Sequence, residues 1–407
     1  MASNISRLPL RNAHASIAAG NEPGGLRARA AAAAEVAARF ADAVDRDGRF
    51  PQEAFDAIRQ QRLLGVLIPA ALGGEEASVG DVVDVCSILG RACASTAMIY
   101  AMHQVKIACL VRHSGANVWQ EGLQRRIAER QLLMASSTTE GNAGGNIRSS
   151  EAAIQTKASR IALERDASVI SYGAHADGVV TTARRNETAA SSDQVLVAFL
   201  KEDYTLERTQ SWDTLGMRGT CSTGFILRAQ GESDQILPEP YDRIHSQTMM
   251  PLAHLFWSAA WTGVAAGAVQ RARAFVRKAA RAAAGKLPPA AAHLTRARVS
   301  LETLRGALQA ATQKFELHSA DPESLTAIDV QLALNFLKVE ASELAVTIVM
   351  SAMRACGLSG YRNDSEFAMG RYLRDILSSP IMINNDRILA DAQAAVLMSD
   401  APAGLHD

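Results

Sequence analysis

Cysteine is scarce in this 407-residue chain, and the way it is distributed excludes whole classes of protein. Cys86, Cys93, Cys109, Cys221 and Cys356 are odd in number and never spaced as C-x-x-C. That pattern favours free thiols over a disulfide framework or a zinc site, and points to a reducing, cytoplasmic compartment. Charge of one sign is also lacking: Lys+Arg 42 balance Asp+Glu 42, and no basic stretch is interleaved with aromatics. No nucleic-acid partner is expected. Apolar runs such as residues 344–350 are broken by charges before they reach bilayer length, so no membrane span is expected. The histidines show no metal-ligand spacing, and no metal is expected. Nor is there a G-x-G-x-x-G or a Walker-type loop to support a Rossmann or P-loop nucleotide site.

What the chain does have is length and periodicity. Its 407 residues call for two or three domains with sizeable cores. The first forty residues are rich in Ala and Arg, with Glu22 and Glu35 as their only acids. This fits a disordered leader over 1–25 that runs into an alanine-rich helix, although organellar transit peptides share the composition. Over 26–133 apolar residues recur at helical spacing, punctuated at Gly48, Pro51, Pro69, Gly73, Gly74 and Gly90, which predicts an N-terminal domain of four to six helices. Over 134–240 the pattern becomes short β-branched runs between Gly, Asn and Ser clusters, a middle β domain. Over 241–407 the helical period returns, with Leu334, Leu337, Ala341, Leu344 and Ile348 marking one buried stripe of a C-terminal bundle. The predicted class is α+β multidomain, and the apolar helices make a homodimer or homotetramer the expected assembly.

Several stretches carry chemistry. Leu63-Leu64-Gly65-Val66-Leu67-Ile68-Pro69 with Gly73-Gly74 reads as a packed helix end stopped by proline and turned by glycine. Ser137-Thr138-Thr139-Glu140-Gly141-Asn142-Ala143-Gly144-Gly145-Asn146 offers hydroxyls and exposed backbone N–H groups. Val169-Ile170-Ser171-Tyr172-Gly173 ends a strand in a hydroxyl and a glycine turn, and Leu215-Gly216-Met217-Arg218-Gly219-Thr220-Cys221-Ser222-Thr223 follows later in the β region. Near the C-terminus, residues 371–388 read RYLRDILSSPIMINNDRI.

Together, and in this order, these stretches resemble the acyl-CoA dehydrogenase superfamily over nearly the full chain. The resemblance implies a three-domain flavoprotein that binds FAD, acts on an acyl thioester or related small molecule, and passes electrons to or from an acceptor flavoprotein or a flavin reductase. It places the flavin against Thr138, Thr139, Gly144 and Asn146 of the loop and against Ile170 and Ser171 at the strand end, where a hydroxyl favours the reduced ring. Val169 stands where many relatives place a tryptophan. Arg281 stands where relatives reach a neighbouring subunit's cofactor, but the Phe-Gly that usually follows is absent from Arg281-Ala282-Ala283-Ala284-Gly285. The basic helix surface of Arg277, Lys278 and Arg281 is an equally good account.

The decisive departure is at the base. Removing the proton beside a thioester carbonyl needs a carboxylate in a dry pocket, and the family position holds Ile383. Residues 256–261, where a few relatives place the acid, contain none. Asp386 or Glu140 could have taken the role, Asp386 lying about one helical turn on. Alternatively the chain is a monooxygenase of the same fold using reduced flavin and oxygen, or a non-catalytic acyl-CoA or acyl-carrier binding relative. His103 reads either as a proton donor or as a hydrogen-bonded helix-face histidine. Asn384, with Asn385 and Asp386, either grips a substrate head group beside Ile383 or caps the last helix. Trp257 and Trp261 line a substrate pocket or pack the core. The leading expectation is an FAD-dependent oxidoreductase acting on CH–CH groups, with Asp386 and His103 as its catalytic residues and Ile383, Asn384 and Trp257 against substrate.

Overall fold

A computed structural model describes residues 24–140 and 147–401. The expected leader lies almost wholly outside them, as do Gly144 and Asn146. Among the described residues five α-helices come first: α1 Leu26–Asp47, α2 Gln52–Gln60, α3 Val79–Ala92, α4 Ala94–His113 and α5 Val118–Arg130. Their ends follow from local chemistry. α1 stops at Gly48, in the left-handed conformation at φ 59°. α3 starts from a capping box of Ser78 and Asp81, and α5 from Asn117, whose side chain accepts from Trp119 N–H and Gln120 N–H. α4 is buried around most of its circumference, because it lies between the other helices and the β region.

The chain turns to strands at Met134. One sheet has the order β1 Met134–Ser137, β4 Gly178–Arg184, β5 Gln194–Leu200. The other has the order β2 Gln155–Lys157, β3 Arg160–Ile170, β7 Thr223–Glu232, β6 Tyr204–Arg208. β1 and β4 pair in parallel, and the remaining ladders are antiparallel. β5 is buried at every position, whereas β3 alternates over most of its length as a half-covered strand should.

Helices return at Tyr241. A short turn α6 Tyr241–Ile244 runs through a π-helical segment, His245–Met249, into α7 Met250–Ala282. Then follow α8 Ala291–His318, α9 Ile328–Cys356, the one-turn α10 Leu358–Tyr361, α11 Gly370–Ile376 and α12 Asn385–Met398. The stretch Tyr241–Ala282 is long and apolar enough to cross a membrane, which the sequence reading did not register; its most apolar window is 94% buried, so it is the central core helix. α7 packs α3, α4, α8 and α9. Gly263 lies at the crossing with α3, where a Cβ would stand 2.2 Å from Ser87 O. On α9 the stripe Leu334, Leu337, Ala341 and Ile348 is buried, with Leu344 partly so.

One joint ties the three regions together. The loop before β7 passes so close to α11 that a Cβ on Gly216 would sit 2.1 Å from Arg374 O. The next residue, Met217, donates its N–H to Asp375 Oδ1 at 2.7 Å. Arg374 pairs with Asp45 of α1, and the Asp45 carbonyl accepts from Arg218 Nε at 2.8 Å. Asp375 is buried, and burial pushes its carboxyl up to about 6, with the Arg371 charge pulling the other way. Between the ordinary carboxylate value of 3.8 and about 6, the folded protein holds a proton that the unfolded chain has lost. Asp375 therefore makes stability fall as pH rises through that window, by on the order of 3 kcal/mol in all. Asp375→Asn keeps an acceptor for Met217 N–H and removes the titration. Its melting temperature relative to the parent is expected to climb between pH 4 and pH 7; a pH-independent difference in paired thermal melts contradicts this account of the joint.

Candidate active site

The strand end and the C-terminal segment are linked by hydrogen bonds. After β3, Tyr172 takes a left-handed turn at φ 46°. Its N–H donates to Thr220 O at 2.8 Å and its hydroxyl to Met134 O at 3.0 Å, which fixes the strand end against β1 and the 217–222 loop. Ser222 Oγ donates to Ser171 Oγ at 2.8 Å. The hydroxyls of Ser222 and Thr220 are also 2.8 Å apart, and Thr220 Oγ1 donates to Met217 O at 2.8 Å. Ser171 is thus connected through Ser222, Thr220 and Met217 to Asp375, whose helix leads into the segment carrying Ile383.

The groups at this strand end are of the kind that would hold a flavin ring. Ser171 is half-buried and accepts from Ser222, so its own proton remains to donate outward. Val169, two positions back, exposes 37% of an apolar side chain that a flat ring would cover. Thr138 and Thr139 follow β1 as half-buried hydroxyl residues. Ile170 is fully buried and pairs with Thr223 of β7. Arg281 is exposed in the last turn of α7.

The proposed acids and proton donor stand differently from the sequence reading. Glu140 is buried and its oxygens are taken up: Oε1 accepts from Ser150 Oγ at 2.8 Å and Ala152 N–H at 3.2 Å, and lies 3.0 Å from Arg165 Nη1; Oε2 accepts from Glu151 N–H at 2.5 Å. Three hydrogen bonds and the Arg165 pair commit it to anchoring the loop. Asp386 is exposed in the first turn of α12, with its N–H donating to Asn384 Oδ1 at 2.8 Å. Such a carboxylate stabilises a helix start and stands in water. Asn384 is accordingly the helix cap.

His103 is fully buried on α4, with Nε2 2.8 Å from Leu64 O and Nδ1 accepting from Met134 N–H at 3.0 Å. Those partners require a neutral ring carrying its proton on Nε2, and burial pushes its pKa down to about 4. The ring clasps the 63–64 turn to β1, with its one N–H proton engaged by Leu64 O. Trp257 is buried on α7, tilted against His254 at 6.1 Å. Among the described residues, the indole Nε1–H groups of Trp257 and Trp261 have no hydrogen-bond partner.

Lys338 was not anticipated. It sits within the apolar stripe of α9, is fully buried, and donates from Nζ to Ile383 O and Asn385 Oδ1 at 2.6 Å each and to Ser379 O at 3.2 Å. The signal was present in the sequence, since a lone lysine between Leu337 and Ala341 interrupts a helix face that is otherwise apolar. Ile383, which the sequence resemblance sets at the family's carboxylate position, thus has its carbonyl bound to an ammonium.

Comparison with known proteins agrees with the geometry. Residues 26–130 match the acyl-CoA dehydrogenase N-terminal domain and residues 247–397 the acyl-CoA dehydrogenase C-terminal domain. The chain is 26% identical to cyclohex-1-ene-1-carbonyl-CoA dehydrogenase of Geobacter metallireducens, over 88% of this chain and 93% of that protein. It is 25% identical to a probable FMNH2-dependent monooxygenase, SfnC, of Pseudomonas putida, over 78% and 82%. Among solved structures, FMN-bound TdsC from Paenibacillus sp. A11-2 superposes with TM-score 0.82 at 16% identity, over 94% of this chain and 100% of that one. Butyryl-CoA dehydrogenase from Megasphaera elsdenii does so with TM-score 0.78 at 16% identity, over 91% and 97%. With its helical, β and helical regions in the family's order and both terminal domains matched, the chain belongs to the acyl-CoA dehydrogenase superfamily.

Proposed function

We propose that this protein is a flavin-dependent monooxygenase of the acyl-CoA dehydrogenase fold, receiving reduced flavin from a reductase and oxygenating a small molecule. One observation carries the reading: among the described residues, none of the carboxylates proposed for the base is both desolvated and free. Ile383 is apolar, Glu140 is committed to three hydrogen bonds and to Arg165, and Asp386 is in water. A base removing a proton beside a thioester needs both properties; oxygenation needs neither.

A bound reduced flavin supplies two electrons, with one oxygen atom entering the substrate and the other leaving as water. The chain's own residues orient and enclose. Ser171 would donate to the bound flavin and Thr138 and Thr139 would supply further hydroxyls, with Val169 giving a smaller apolar face than the tryptophan of many relatives. Trp257 and Trp261 offer unpaired indole donors to an acceptor on the substrate. Conditions that exclude water from this space favour the oxygenated product over wasteful reoxidation.

A dehydrogenase remains the second reading, supported by the Geobacter metallireducens relative. A homodimer or homotetramer is proposed from apolar side chains exposed on the C-terminal helices, among them Leu358, Tyr361 and Leu397.

Anaerobic titration separates the two readings at the cofactor. The monooxygenase reading predicts at least about tenfold tighter binding of reduced than of oxidised FMN or FAD, equivalent to about 1.4 kcal/mol. Oxidised FAD that stays bound through purification at unit stoichiometry overturns it. Ser171→Ala is expected to weaken reduced-flavin binding by about fivefold to tenfold, the worth of one hydrogen bond. Unchanged affinity for both redox forms removes Ser171 from the cofactor site.

A further inference from the structure

The segment 379–385 has an unusual backbone. Ile383 sits at φ 48°, a left-handed conformation that is strained for a β-branched residue. Something must hold it there. Local hydrogen bonds contribute, with Met382 N–H donating to Ser378 O at 2.9 Å and Asn385 N–H to Pro380 O at 3.0 Å. The remaining contacts converge on one side chain.

Lys338 reaches this segment from α9. Its ammonium has three hydrogens, and three oxygens surround it: Ser379 O, Ile383 O and Asn385 Oδ1. None is a carboxylate. The Trp261 ring of α7 lies 5.7 Å from Nζ, and His254 on the same helix faces it as a neutral ring bonded to Leu334 O. The nearest counter-charge is Glu343 on α9 itself, reached through Asn385, whose Nδ2 donates to Glu343 Oε1 at 2.8 Å and to Ser342 Oγ at 3.0 Å. Burying an ammonium without a contacting carboxylate costs several kcal/mol. An apolar residue would fill the stripe on α9 without that penalty, so packing does not account for the lysine.

We propose that Lys338 is a positioning residue for the active site: its three hydrogen bonds hold 379–385 in the conformation that places Ile383 at the vacated base position. The inference stands whichever oxidation the protein performs, because it concerns the path of the chain and not the reaction. Its chemistry is specific to the charged amine. An ammonium satisfies all three oxygens, a neutral amine has two hydrogens for them, and methionine has none. Burial also pushes the amine down to about 8, which brings the change of hydrogen count within reach of a stable protein.

Hydrogen exchange of the full-length protein, followed on peptides spanning 377–388, tests this directly. Lys338→Met is expected to speed exchange of the Met382 and Asn385 amides at least tenfold, with β3 unchanged. In the parent, protection of the same amides, corrected for intrinsic base-catalysed exchange, is expected to fall between pH 7 and pH 9.5; in Lys338→Met it is expected to be flat. The parent series alone decides the matter if the variant does not fold. A companion titration of tryptophan fluorescence should show a step on the alkaline side that disappears in Trp261→Phe. Protection in the parent that stays constant across this range, or a folded Lys338→Met with unaltered protection, overturns the assignment.

Discussion

The architecture depends on one buried contact, the hydrogen bond from Met217 N–H to the Asp375 carboxyl. It is made where the loop ahead of β7 meets α11, and the neighbouring Arg374–Asp45 pair brings in α1. A carboxylate taken out of water is expensive, and the shift of Asp375 towards about 6 is the measure of that expense. The arrangement persists because a buried donor left without its acceptor would also be costly. The same few residues join three regions of the chain and pass hydrogen bonds on to Ser171, so the strand end and the Ile383 segment are positioned by one joint.

At the position where the sequence resemblance sets the family's carboxylate, this chain has a hydrocarbon side chain and a lysine bound to its carbonyl. The two changes reinforce each other. An ammonium so close would hold any carboxylate introduced at position 383 in its ionised, weakly basic form. Glu140 and Asp386 do not compensate, the first tied to Arg165 and the second left in water.

Much of the fold was legible in the sequence because its signals are local. The change of period near residue 134 and its return after Pro240 mark where strands begin at Met134 and helices resume at Tyr241. The capping role of Asn384 was also one of the two readings its position allowed. Long-range pairings were not legible. Glu140 gives no local hint that Arg165 lies across the sheet from it, and His103 none that its ring nitrogens meet Leu64 and Met134. Both were candidates for proton transfer on residue type alone, and tertiary hydrogen bonds assigned them to structure. Lys338 carried a visible anomaly, a charge on a buried face, yet only the fold shows the three oxygens it serves.

The central claim is that this site lacks the base for α-proton removal. Its most direct test is anaerobic mixing of the flavin-loaded protein with a panel of acyl-CoA thioesters, followed at the oxidised flavin absorbance. The account predicts no bleaching with any thioester, and full reduction only by an external reductant. Rapid bleaching by one acyl-CoA that is lost in Asp386→Asn would contradict it, and would show that the base has moved to the start of α12.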